Sequence, residues 1–136
     1  MTNALENMKQ KGVKFSPGKV DEWLDCGNKN ATVYTNQRVL EFLKGQKIVA
    51  DSAKVDQSII IEPCYIGENV TIKNSVVGPH VSVGDNSSIE NAVIKNTIIQ
   101  TNTTLKGVSY TNSMIGNHVS ISKELTDCSI GDYNEL

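Results

Sequence analysis

From Ile60 onward a branched aliphatic residue returns every five or six positions, with polar and small residues between. The aliphatics at 60, 66, 72, 77, 83, 89, 94, 99 and 105 open short units, and every third opener (66, 83, 99, 115, 130) follows the last by 17, 16, 16 and 15 residues. Ile66-Gly-Glu-Asn-Val-Thr, Val83-Gly-Asp-Asn-Ser-Ser and Ile115-Gly-Asn-His-Val-Ser are copies of one six-residue phrase. A fixed internal period is the signature of a stacked repeat. About six residues make a short strand and a corner, and three corners return the chain above its start, one strand spacing of about 4.8 Å away. The pattern predicts a mainly β fold, a parallel β-helix of four to five coils over residues 53–132. Its openers Ile66, Ile72, Val77, Val83, Ile89, Ile94 and Ile99 point inward, together with the residue four places after each. The third residue after the opener falls at a corner, giving one edge of Asn69, Asn86, Asn102, His118 and Tyr133. Corners need positive φ, which Gly adopts freely and Asn better than most residues.

Residues 1–45 lie outside the repeat. Asn3 and Glu6 have capping-box spacing for a short helix that Gly12 ends. Val13-Lys-Phe15 alternates, Ser16-Pro-Gly18 turns, and Lys19–Asp25 alternates again, which predicts a hairpin. Asn28 stands where an N-cap would start a second helix running to Lys44, with Val39, Leu40 and Leu43 toward a partner and Gly45 stopping it. The expected organisation is a helix–hairpin–helix over 1–45 and a β-helix over 46–136. Helix, hairpin and helix are too little to close a core, so this part reads as a piece of something larger.

Composition narrows the function classes. The chain has 136 residues and a formal charge of −2 from 13 basic and 15 acidic side chains, which gives no basic field for nucleic acid. No apolar run approaches a membrane span, and residues 1–20 contain no apolar signal segment. Cys26, Cys64 and Cys128 are odd in number, widely separated and without a CxxC pair, which argues against zinc and for reduced thiols in a cytoplasmic protein. Cys64, four places after Ile60, reads as a small core residue.

The repeat resembles the hexapeptide-repeat family over roughly residues 53–132. That likeness implies a left-handed parallel β-helix with three flat faces. It says less about activity, because the family includes acyltransferases as well as the C-terminal domains of sugar-nucleotide pyrophosphorylases.

A second resemblance adds to it. Val20-Asp-Glu-Trp-Leu-Asp-Cys-Gly-Asn28, followed by a helix, is similar to the Trp-x-Asp-x-Gly-Thr segment ending the catalytic domain of sugar-1-phosphate nucleotidyltransferases. Those enzymes join an NTP to a sugar 1-phosphate and release pyrophosphate, with Mg²⁺ between the phosphates. The resemblance implies that Asp25 is one of two carboxylates holding that metal in the intact enzyme. It likewise implies that Gly27 lets backbone approach the sugar phosphate, and that Asn28, where Thr is usual, makes a polar contact. The Gly-rich nucleotide loop with its Arg and Lys, and the second metal-binding Asp, have no counterpart in these residues. Phosphoryl transfer needs its phosphates neutralised and aligned by several groups at once. The expectation is therefore a C-terminal part that needs a catalytic domain as partner, has no catalytic residue or cofactor of its own, and forms a homo-oligomer, most simply a dimer, through its β-helix.

Each candidate has a plainer reading. Asp25 could be a carboxylate capping the following helix. His80 and His118 could each be the general base of a small acyltransferase with an acyl-coenzyme A donor, or simply polar corner residues. The repeat would also serve as a ligand-free scaffold.

Overall fold

A computed structural model describes residues 2–135. Two helices, α1 (Thr2–Gln10) and α2 (Lys29–Phe42), precede eleven short strands: β1 (Lys54–Asp56), β2 (Ile59–Ile60), β3 (Cys64–Ile66), β4 (Thr71–Lys73), β5 (Val76–Val77), β6 (Val81–Val83), β7 (Ser88–Glu90), β8 (Val93–Ile99), β9 (Thr104–Lys106), β10 (Ser109–Ile115) and β11 (Ser120–Ser122). Every strand pair is parallel, and partners lie 16 or 17 residues apart, as in Ile72↔Ile89 and Ile89↔Leu105. The result is a β-helix whose coils stack one on the next. One face is the sheet β1-β4-β7-β9-β11. The seven-residue strands β8 and β10 bend round a corner and contribute to both other faces, Val93 and Ile94 pairing with β5 and Thr97–Ile99 with β6.

The openers are where the period places them. Ile66, Ile72, Val77, Val83, Ile89, Ile94, Ile99 and Leu105 are all buried and form one continuous core. The expected second inward position, four residues after the opener, holds only where the step is six: Val70, Val81, Ser87 and Thr103 are buried. Where the step is five it fails, and Val93, four after Ile89, is 53% exposed. The constant is the residue two before the next opener, here Ser75, Ala92, Thr97 and Val108. Strand side chains alternate with a period of two, so the inward pair is always i and i−2 whatever the corner length.

Several of these second positions are hydroxyls, and each is satisfied by a corner carbonyl. Ser75 Oγ donates to Lys73 O (2.8 Å), Ser87 Oγ to Gln100 O (2.9 Å), Thr97 Oγ1 to Lys95 O (2.8 Å) and Thr103 Oγ1 to Gly116 O (2.7 Å). A buried hydroxyl without a partner would cost stability, and here the bend of the backbone supplies the acceptor.

The corners carry left-handed backbone. Asn69, Asn86, Asn102 and His118 have φ of 55°, 58°, 54° and 58° along the expected edge; Tyr133 also has a positive φ, 62°, but lies beyond the last strand. A second edge holds Gln57, Asn74, Asn91 and Gly107, and a third His80, Asn96 and Asn112. Stacked amides bond from coil to coil, Asn69 Nδ2 to Asn86 Oδ1 (3.2 Å) and Asn74 Nδ2 to Asn91 Oδ1 (2.6 Å). Gly107 has a second constraint: a Cβ there would sit 2.0 Å from Lys123 O of the next coil.

Three expectations are corrected. The β-helix does not run to residue 132: the last strand is β11, and the opener Ile130 is 54% exposed. Among the described residues no further coil lies above β11 to close over that side chain. The hairpin over residues 13–25 is not formed, since residues 11–28 contain no strand. An alternating segment becomes a strand only when its N–H and C=O groups find a neighbour, and none is offered here. Finally, α2 ends at Phe42, with Leu43 as C-cap, and it turns Val33 and Leu40 inward while Val39 is exposed. This helix packs along β8 and β10 of the stack.

Candidate functional site

The segment Glu22–Asn28 is strapped along α2. Asn28 is extended at φ −150°, and its side chain accepts from Ala31 N at 2.9 Å, the N-cap that the sequence predicts. Asp25 Oδ1 accepts from its own neighbours Cys26 N (2.7 Å) and Gly27 N (3.1 Å), while Thr35 Oγ1 donates to Asp25 O at 2.6 Å. Three residues before Asp25, Glu22 grips Arg38 with two bonds, Nε to Oε1 at 2.7 Å and Nη2 to Oε2 at 3.3 Å. The Glu22 carboxylate raises Arg38 further above its ordinary pKa, first through these bonds and then through charge. Arg38 also lies over the Phe42 ring, 5.1 Å from its centre. Trp23 is left 83% exposed.

Asp25, Gly27 and Asn28 thus stand together at the N-terminus of α2. Asn28 is engaged as a cap, and Asp25 Oδ1 is engaged with backbone. Gly27 has reason to be small, because a Cβ would meet Asp25 Oδ2 at 3.2 Å. Among the described residues no group of three His, Cys, Asp or Glu side chains could hold a metal. A single half-engaged carboxylate does not fit a resident Mg²⁺, which usually takes one or two carboxylates together with substrate phosphates.

The two histidines are not brought together. His118 is exposed on the Asn69–Asn102 edge. His80 sits on the third edge, and its Nε2 lies 2.5 Å from Glu41 Oε1 of α2. That bond, ahead of nearby positive charge, holds the Glu41 carboxylate below its usual range. Ser82 Oγ donates to Asn36 Oδ1 (2.6 Å), and Lys29 Nζ to Asn112 O (2.8 Å). Sequence reasoning missed this seam. The cue was there in polar residues spread along α2, but nothing in the spacing says which corners they meet.

A cleft of about 320 Å³ opens between the α2–β1 connection and the first coil, lined by Lys44, Lys47, Asp51, Glu62 and Cys64 among others. Lys47 and Asp51 pair with each other across its rim. Burial pushes the Cys64 thiol up, so it stays protonated and inert. Neither Asp25 nor either histidine reaches the cleft.

Comparison with known proteins agrees with this architecture. A family profile described as the GlmU-like C-terminal hexapeptide matches residues 34–109, from the middle of α2 to the fourth coil. The chain belongs to that family. Among curated proteins it is 28% identical to a glucose-1-phosphate thymidylyltransferase of Streptomyces antibioticus, over 92% of this chain and 40% of that protein. It is also 28% identical to a glucose-1-phosphate thymidylyltransferase of Streptomyces griseus, over 74% of this chain and 32% of that protein. The chain therefore spans well under half the length of these relatives. No solved structure matches it at a comparable level.

Proposed function

We propose that this chain is the C-terminal part of a sugar-1-phosphate nucleotidyltransferase, with its β-helix serving oligomerisation and regulation. The observation that carries the reading is continuity. The Trp23-x-Asp25-x-Gly27 segment, the capped helix α2 and the β-helix follow one another in a single docked unit, and the match to a glucose-1-phosphate thymidylyltransferase extends over 92% of the chain. The proposed chemistry of the complete enzyme is transfer of a thymidylyl group to glucose 1-phosphate or a close hexose phosphate, with release of pyrophosphate in the cytoplasm. Asp25 is assigned as one metal carboxylate there, its partner and the nucleotide loop coming from a catalytic domain. Thr35 and Asn28 fix the turn that carries it. The acyltransferase alternative gains no support, since His80 is engaged with Glu41 and His118 stands on a different edge.

The test has two arms. The 136-residue chain alone releases no pyrophosphate from any NTP and sugar 1-phosphate. In the complete enzyme Asp25→Asn lowers kcat by about 10²–10³-fold, the scale of losing one group that stabilises transition-state charge, while the melting temperature stays within a degree or two. Near-normal turnover in that variant removes the assignment of Asp25, and pyrophosphate release by the bare chain removes the need for a separate catalytic domain.

A further inference from the structure

The face built from β1, β4, β7, β9 and β11 differs from the other two. The third face carries α2, and the second presents Ile59, Val76 and Val93 with Leu125 beside them. The first face carries nothing among the described residues. Its outward side chains form two rows fixed by register. One row runs Lys54, Thr71, Ser88, Thr104, Ser120, and the other Asp56, Lys73, Glu90, Lys106, Ser122. The second row alternates in sign, minus, plus, minus, plus, at steps of about 4.8 Å. Neighbours in the row attract within the chain, Lys106 Nζ lying 3.8 Å from Glu90 Oε1.

We propose that this face is where two copies of the chain meet, with their stacking axes antiparallel; the inference rests on the oligomerising role assigned above and names its surface. A two-fold axis in the plane of the face, perpendicular to the stack and passing between β4 and β7, reverses the order of the coils. It sets Asp56 against Lys106 of the second copy and Lys73 against its Glu90, so all four charges meet opposite ones. Lys54 then faces the hydroxyl of Thr104, and Thr71 that of Ser88. Sliding one copy by a single coil either puts Asp56 against Glu90 and Lys73 against Lys73, or overlaps all five strands and puts Lys73 against Lys106 and Glu90 against Glu90; both repel. A two-fold parallel to the stack sets Lys73, Glu90 and Lys106 each against its own copy, or against the hydroxyls of Thr71, Ser88 and Thr104. Only the antiparallel pairing about an axis between β4 and β7 sets all four charges against opposite ones, and that is how charge selects orientation and register. The overlap is four strands, about 19 Å, tall, with β11 of each copy beyond it. With strands of three residues the overlap is smaller than a standard interface, so the dimer is a weak, reversible one that salt weakens.

Sedimentation of the full chain over a concentration series tests this, with reductant present because Cys26 and Cys128 are exposed. Wild type is compared with Lys73→Glu and with the swap Lys73→Glu/Glu90→Lys. The single change puts like charges together twice across the two-fold and raises the dimer Kd by about tenfold or more. The double swap makes the row minus, minus, plus, plus. It spoils the pairing within each chain yet restores every contact between antiparallel copies, so Kd returns to within about threefold of wild type. Circular dichroism on all three keeps folding separate from association. A wild-type dimer indifferent to Lys73→Glu overturns this surface and leaves the oligomeric reading standing. A folded double swap that stays as weak as the single change shows that the ladder acts only within the chain, and overturns it too. A wild-type chain that remains monomeric throughout removes both.

Discussion

The β-helix and the segment between α1 and α2 carry the same local signal and meet different fates. Lys19-Val-Asp21 alternates as cleanly as Thr71-Ile-Lys73, yet the second is a strand and the first is not. What separates them is a neighbour. Each strand of the stack finds its parallel partner one coil away, so both its side chains and its backbone groups are satisfied by the repeat itself. Residues 13–25 have no such partner, and their apolar side chains Val20 and Trp23 stay exposed. Alternation describes where side chains can go. Whether a strand forms depends on what pairs with its backbone.

The sharpest way to break the contrast is to charge the core. Val83→Asp places a carboxylate among Ile66, Val81 and Ile99, and an unpaired buried charge costs several kcal/mol, comparable with the whole stability of a domain this size. Because coils rest on one another, the expected outcome in a thermal melt followed by circular dichroism is loss of the entire β-helix. Melting of one coil with the rest intact would contradict a shared core.

A milder pair of changes grades the two regions. Leu105→Ala leaves a hole in the fourth coil and is expected to cost about 2–5 kcal/mol. Trp23→Ala removes the largest side chain of the arm and is expected to stay within about 0.5 kcal/mol, as surface changes do. Denaturant titration of both variants reads the difference. Equal losses would mean that Trp23 is packed after all.

Between these lies the joint. Asn28→Ala removes the cap of α2 and is expected to cost about 1 kcal/mol, visible as lower helical signal with the strand signal unchanged. The smallest effect is acid dependence at the seam. Glu41 has a depressed pKa, so its bond to His80 contributes fully above the usual carboxylate range and is lost as pH falls through the lowered value. Glu41→Gln should therefore flatten the acid limb of α2 docking, followed by the quenching of a label on the helix, and leave neutral pH nearly untouched.

These contrasts also mark what was legible in the sequence. The openers, the left-handed Asn corners and the Asn28 cap were readable because each follows from a local rule repeated at fixed spacing. The inward hydroxyls were misassigned at five-residue steps, because a count from the previous opener crosses a corner of variable length, whereas a count back from the next opener does not. The hairpin was expected from alternation alone, without a partner strand to hold it. At the site, Asp25, Gly27 and Asn28 were found as a cluster, but the straps that hold them, Glu22 to Arg38 and Asp25 to Thr35, join residues 16 and 10 positions apart across a bend. The seam from His80 to Glu41 spans 39 positions and has no periodic cue at all.

Native-state hydrogen exchange, resolved by residue, tests most directly the claim that the stack with α2 is one cooperative scaffold while the arm before it has no strand structure of its own. The amides of β3 to β9 should exchange with a single free energy equal to that of global unfolding, those of Ala31 to Leu40 slightly faster, and those of residues 13–24 at nearly unprotected rates. Protection of residues 13–24 at the level of the strands, or a stepwise loss of protection coil by coil, would contradict it.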